Sequence, residues 1–121
     1  MGLGGLMVAA GGALGAAGRY GISLLPWRGE LPLLTLCTNF RGALAIGFVV
    51  GLAGQRRLSP GWTLFWKTGV CGGFTTFSTF SLESFTLLER GKWLLCGGYM
   101  FLSVALCLLG VALGQRLSGD A

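Results

Sequence analysis

The chain has 121 residues, of which 53% are hydrophobic and only 11% are charged, and its formal net charge is +5. Soluble domains usually carry about 25% charged residues, so this composition excludes an ordinary water-soluble globular domain. The basic residues are dispersed among short breaks and form no patch, which disfavours a nucleic-acid partner. Histidine is absent and no metal-ligand spacing or nucleophile–base pair is present, which disfavours an enzyme.

Four apolar blocks divide the chain, which at this length is expected to be one domain, residues 1–121. The blocks are Leu3–Leu25, Leu31–Ala53, Trp62–Leu88 and Trp93–Leu113. About 20 helical residues cross a bilayer core of ~30 Å, so each block is long enough to span. The four tryptophans fall at or near the polar breaks, where an interfacial aromatic belt would place them. The pattern predicts an all-α integral membrane protein with four transmembrane helices.

The first block is rich in small residues, "GGLMVAAGGALGAAG", which favour close helix packing in lipid. No basic region precedes it and it is longer than the apolar part of a signal peptide, so we expect a retained helix. The close contacts could lie within one chain or between two chains, and the sequence leaves both open.

The positive charges are divided almost evenly between the two predicted sides of the membrane. One side carries the N-terminus, Arg56, Arg57, Arg116 and, depending on depth, Lys67, and the other carries Arg28, Arg90 and Lys92. An excess of Lys and Arg on one side fixes orientation, so a weak bias permits insertion in both directions. An antiparallel homodimer with dual topology is therefore allowed, although singly oriented proteins also show weak biases.

The third block contains "GVCGGFTTFSTFSLES", residues Gly69 to Ser84, and predicts an interrupted helix. Gly72-Gly73 followed by Thr75-Thr76 is a poor helix former near the middle of the block. Non-helical backbone survives in a membrane only where protein or an ion satisfies it. Freed carbonyl oxygens suit a cation such as Na⁺, so the break indicates a buried ion site. A glycine-mediated helix crossing without an ion is the alternative.

Polar side chains recur at helical spacing in three of the blocks. The third block carries Thr76, Thr79 and Glu83 beside Phe74, Phe77 and Phe80; the second carries Thr35, Asn39, Gly42 and Ile46; the fourth carries Tyr99, Ser103 and Cys107. Intramembrane carboxylates are costly and usually functional. Phenyl rings have positive edges, so with the hydroxyl donors they could stabilise a small anion. The Asn39 amide could serve that site or simply bond a neighbouring helix.

Three stretches resemble the Fluc/CrcB family of fluoride channels: "GGALGAAGRY", "TLCTNFRG" and "GVCGGFTTFSTFSLE". The third is the longest and most specific of them, and the resemblance covers nearly the whole chain. It implies an antiparallel, dual-topology homodimer in the inner (plasma) membrane. Such a dimer passes F⁻ down its electrochemical gradient and protects the cell from fluoride toxicity. The resemblance also implies a structural Na⁺ on the two-fold axis.

The resemblance assigns roles to residues at matching positions. Carbonyl groups of Gly72 and Thr75 would bind Na⁺. The fluoride path would be lined by Asn39, Phe77, Phe80, Thr76, Thr79, Glu83, Tyr99 and Ser103. Arg19 matches the arginine of the family's first helix. Two positions depart from the family: Cys107 replaces a frequent serine, and Arg41 replaces an aliphatic or small residue. Arg41 could snorkel, pair with Glu83 or add positive potential to the vestibule.

Two other readings have similar gross features. Small multidrug-resistance transporters share length, helix number and dual topology, but they exchange cations for protons through a carboxylate in the first helix. The block Leu3–Leu25 contains neither Asp nor Glu, which argues against such an exporter. A non-conducting membrane subunit that packs against a larger partner remains open.

Overall fold

The computed structural model describes residues 2–119, and within that range every regular element is helical. The long helices are α1 (Gly2–Ser23), α2 (Leu33–Gly54) and α6 (Trp93–Leu117). Helices α2 and α6 are long and apolar enough to cross a membrane, judged by length and composition alone. Helix α1 has the length of α2, but its many glycines make it less apolar. The predicted all-helical, apolar character is confirmed.

The third helical region is interrupted, as the sequence predicts. It begins with α3 (Pro60–Thr63), continues through a π-helical segment (Leu64–Cys71) and ends with α4 (Gly72–Phe74). Thr75 and Thr76 have extended backbone, and the chain then resumes as α5 (Phe77–Glu89). The two threonines therefore form the break. The break lies within the predicted stretch, at its threonines, whereas Gly72 and Gly73 belong to α4.

The glycines before the break allow close packing of α1 against this region. A Cβ on Gly15 would overlap the Val70 carbonyl, and a Cβ on Gly73 would lie 2.6 Å from the Gly12 carbonyl oxygen. Backbones can approach this closely where glycine removes the Cβ at the point of contact. The small-residue pattern of α1 is thus used within one chain, and Gly73 remains helical because it forms part of this contact.

A second glycine seam joins α2 to α6. A Cβ on Gly47 would overlap the Val111 carbonyl, and a Cβ on Gly114 would overlap the Leu44 carbonyl. The four helical regions thus form two closely packed pairs, α1 with residues 60–74 and α2 with α6. Helix α5 packs mainly on α6, and it begins shortly after α4, which packs on α1, so the start of α5 lies where the two pairs meet.

Polar contacts tie the loops together at both ends of the bundle. Lys92 Nζ lies 2.7 Å from Glu30 Oε1, which joins the α1–α2 loop to the α5–α6 loop. At the opposite end, Gln55 Nε2 donates to the Ser118 carbonyl oxygen at 3.1 Å. The α1–α2 and α5–α6 loops therefore lie at one end of the bundle, and the last residues of α2 and α6 lie at the other.

Candidate functional site

The interruption of the third helix is held by one side chain from α2. Asn39 Nδ2 donates to the Thr76 carbonyl oxygen at 3.1 Å, and the Thr76 amide donates to Asn39 Oδ1 at 2.8 Å. The asparagine amide therefore pairs with both backbone groups of Thr76, as a neighbouring strand would. This pairing satisfies the non-helical backbone that the bilayer would otherwise penalise.

Thr76 also begins the helix that follows. Its Oγ1 accepts the Thr79 amide at 3.1 Å and lies 3.3 Å from Ser78 Oγ. A threonine N-cap of this kind satisfies one of the free amides in the first turn of a helix. The hydroxyls of Thr76 and Ser78 and the first turn of α5 thus form a group of hydrogen-bond donors beside the break.

Two carbonyl groups at the break lose their usual helical donors. The Thr76 amide bonds Asn39 instead of returning to the Gly72 carbonyl, and the Thr79 amide bonds Thr76 Oγ1 instead of the Thr75 carbonyl. Carbonyl oxygens are hard ligands of the kind that Na⁺ accepts. The chemistry of this pair therefore fits a small cation. The neighbouring Gly73 carbonyl oxygen accepts Arg19 Nε at 3.2 Å.

Glu83 is held by hydroxyl donors from two other helices. Tyr99 OH donates to Glu83 Oε1 at 2.8 Å, and Thr35 Oγ1 donates to Glu83 Oε2 at 3.0 Å. Each carboxylate oxygen has a donor, which lowers the cost of a carboxylate in an apolar span. The structure therefore joins α2, α5 and α6 through this residue.

Three aromatic rings form a row beside these polar groups. The ring centroids of Phe77 and Phe80 are 5.5 Å apart, and those of Phe80 and Tyr99 are 5.2 Å apart. Phe80 is only 9% exposed, whereas Phe77 is 78% exposed. Phe77 and Phe80 share one face of α5, as predicted. Phe74 lies apart from the row and packs beside Gly18 and Gly42.

A groove of about 460 Å³ runs along the break. Its walls are mostly apolar and come from α2, the third region and α6. The lining includes Asn39, Gly42, Ile46, Gly72, Thr75, Thr76, Phe77, Phe80, Ser103 and Cys107. Ser103 Oγ is buried and, within residues 2–119, has no hydrogen-bond partner. A buried hydroxyl without a partner is rare, and it marks a place where a ligand could accept a hydrogen bond.

Two smaller cavities share Thr35 and Leu34. One, of about 380 Å³, reaches from Glu30 and Arg90 to Glu83, and the other, of about 110 Å³, reaches from Arg19 to Thr76 and Thr79. Together, the polar residues that line these two cavities extend from the loops to the break. Thr35 was not among the predicted site residues, although it stands one helical turn before Asn39 on the same face.

Arg41 lies outside this constellation. Its side chain is exposed on α2. Pairing with Glu83 was one of the roles considered for Arg41. The structure does not show this pair, and Glu83 instead accepts hydrogen bonds from Thr35 and Tyr99.

The amino-acid sequence of the chain is similar to those of known proteins. A family model described as "CrcB-like protein, Camphor Resistance (CrcB)" matches residues 6–115. The chain is 45% identical over 109 residues to a "Fluoride-specific ion channel FluC" from Methylobacterium nodulans, which covers 88% of each chain.

Two further relatives have the same printed name. The Paracoccus denitrificans protein is 46% identical over 114 residues, covering 90% of this chain and 89% of the relative. The Rhodospirillum rubrum protein is 44% identical over 122 residues, covering 91% of this chain and 90% of the relative.

Proposed function

The chain belongs to the CrcB-like family, and on that premise we propose that it is a fluoride-selective ion channel. It lets F⁻ leave the cell passively down its electrochemical gradient and so protects the cell from fluoride toxicity. The relatives named above support this function because the match extends over most of both chains.

One observation about the site carries the proposal: hydrogen-bond donors and two phenyl rings line the same groove where Asn39 holds Thr76. Asparagine has two N–H donors, and only one of them is needed for the Thr76 carbonyl. The Ser103 hydroxyl faces the same groove without a partner among the described residues. These donors and the phenyl edges could replace the water around a small anion.

We propose that the functional unit is an antiparallel, dual-topology homodimer of four-span subunits in the inner membrane. The apolar groove and the exposed Phe77 ring support a second copy as the cover of this surface. A single chain leaves the groove open to lipid on one side, and such an open wall would not strip water selectively from fluoride.

We further propose that the Gly72 and Thr75 carbonyl groups hold a structural Na⁺ at the two-fold axis. Both residues line the groove, and their usual helical donors are used elsewhere. A bound Na⁺ would supply positive charge to carbonyl oxygens that lipid cannot solvate. The residues of this chain orient those oxygens through the Asn39–Thr76 pairing.

Fluoride release from liposomes tests the function. We expect purified protein in vesicles loaded with KF to release F⁻ when a K⁺ ionophore balances charge, and vesicles loaded with KCl to retain Cl⁻. Absence of F⁻ release from a dimer whose assembly is verified by size-exclusion chromatography would overturn the assignment.

Ring substitutions test the proposed path. Phe77→Ile and Phe80→Ile remove phenyl rings that line the groove, so we expect slower F⁻ release from both. Phe85→Ile is the matched control, since Phe85 lies on the same helix and is 57% exposed but does not line the groove. Wild-type rates in Phe77→Ile and Phe80→Ile would remove the rings from the mechanism.

A further inference from the structure

An unpaired guanidinium stands partway along a membrane-spanning helix. Arg41 belongs to α2, one of the two helices that are long and apolar enough to cross a membrane. Its side chain is exposed, and within residues 2–119 it has neither an ion-pair nor a hydrogen-bond partner. A charge in this position needs a counter-ion or water.

The surroundings of Arg41 on α2 are apolar and face away from the rest of the chain. Residues one turn before, one turn after and two turns after it are Cys37, Ala45 and Phe48, and all three are exposed. Arg41 does not line the groove or the two cavities of the candidate site. This face of α2 is therefore in contact with lipid in a membrane, unless another copy covers it.

The direction of the helix determines which membrane surface the side chain approaches. Arg41 is about 12 Å along the axis from Leu33, the first residue of α2, and about 20 Å from its last residue. Helical side chains lean towards the N-terminus of their helix, so the guanidinium is carried towards the Leu33 end. Long basic side chains reach the interface in this way.

The interface at that end is marked by Trp27. Its indole Nε1 donates to the Leu31 carbonyl oxygen at 2.7 Å, and its ring is 45% exposed. Tryptophan favours the level of the lipid headgroups, so the start of α2 lies at that level. Glu30, the nearest acidic residue in sequence, is already paired with Lys92. Lipid phosphates lie at the same level and are anions that could pair with Arg41.

We propose that Arg41 binds the phosphate of an anionic phospholipid in the leaflet that faces the α1–α2 loop, one lipid per chain. The planar guanidinium forms two parallel hydrogen bonds with phosphate oxygens. Cys37 lies on the headgroup side of Arg41, and Ala45 and Phe48 lie beneath it, where they contact the acyl chains. An anionic headgroup is preferred because a zwitterionic one already carries its own cation. The site is separate from the fluoride path, so it stands whether or not the chain conducts fluoride.

Native mass spectrometry of the detergent-solubilised protein tests the proposal with defined lipids. Wild type is incubated with dioleoylphosphatidylglycerol or dioleoylphosphatidylcholine, and the lipids retained per chain are counted. We expect one retained phosphatidylglycerol per chain, and about tenfold weaker retention in Arg41→Gln, because charge-assisted bonds are lost. Arg41→Lys should be intermediate, since an ammonium keeps the charge but loses the two-point contact. Arg116→Gln, at the far end of α6, is the control and should match wild type.

Three outcomes would overturn the proposal. They are equal retention of phosphatidylglycerol by wild type and Arg41→Gln, equal retention of both lipids by wild type, and a change of oligomeric mass in Arg41→Gln without a change in lipid retention. The last result would place Arg41 between copies of the chain. Removing a charge from an apolar span favours insertion, so Arg41→Gln should fold, and Arg41→Lys provides the comparison if it does not.

Discussion

Replacing Asn39 with leucine removes both hydrogen bonds that hold the interrupted third helix. The two side chains have the same number and branching of heavy atoms, so the main change is that the Thr76 amide and carbonyl lose their partners at 2.8 and 3.1 Å. An orphaned polar backbone group in a protein interior costs about 1–3 kcal/mol. Hydrogen bonds measured between membrane helices average about 0.6 kcal/mol, because the reference state finds other partners.

The lower value applies to side chains that can find another hydrogen-bond partner once the first is lost. The backbone of Thr76 is held in the chain and has less freedom to find one. We therefore expect Asn39→Leu to lower the free energy of unfolding by about 2 kcal/mol, a factor of roughly 30 in the ratio of folded to unfolded protein. Asn39→Asp should also lose stability, because an ionised carboxylate accepts the Thr76 amide but cannot donate to the Thr76 carbonyl group and adds a charge to the span.

Reversible unfolding in mixed detergent micelles measures the stability, and F⁻ release from liposomes measures the function. We expect Asn39→Leu to be impaired in both. Cys37→Ala is the control on the same helix, because Cys37 is exposed. If Asn39→Leu had the unfolding free energy and the F⁻ release rate of wild type, Asn39 would not be what holds the break.

Three further substitutions separate polar contacts from packing. Tyr99→Phe removes the 2.8 Å bond to Glu83, and we expect slower F⁻ release in the liposome assay; an unchanged rate would exclude this bond from the path. Ser103→Ala loses no hydrogen bond within residues 2–119, so unfolding should be unchanged while F⁻ release slows; a destabilised variant with normal release would contradict this. Gly15→Ala should cost about 1–3 kcal/mol in unfolding experiments because its Cβ meets backbone, whereas Gly21→Ala, with open space around it, should be tolerated; equal stability would refute the close contact.

The sequence predicts an interruption of the third helix within the stretch from Gly72-Gly73 to Thr75-Thr76, and the structure narrows it to the two threonines. Glycine and threonine are both poor helix formers, so helix propensity alone does not show that Gly72 and Gly73 stay helical while the threonines do not. In the structure Gly73 packs against the α1 backbone, and this tertiary contact keeps it helical. Helix propensity could not reveal the contact, because it depends on which backbone surface lies opposite.

The polar groups of the site were recognised from helical spacing, but their partners were not. Spacing placed Glu83 and Tyr99 on separate helices with no reason to connect them, and Thr35 was left outside the site. Their hydrogen bonds depend on how α2, α5 and α6 pack, and spacing within one helix does not define that packing. The π-helical segment Leu64–Cys71 has no sequence signal of its own that spacing could detect.

The pairing of Asn39 with Thr76 has a consequence for biogenesis. Asn39 precedes Thr76 in the chain, so the Asn39 side chain enters the translocon before the Thr76 backbone with which it pairs. The later segment can then leave the insertion machinery with its exposed peptide groups already matched. In a circularly permuted protein in which α2 is translated last, the third region would leave the translocon before Asn39 is available to pair with Thr76. We expect this variant to be degraded more rapidly than the protein with the natural order of helices.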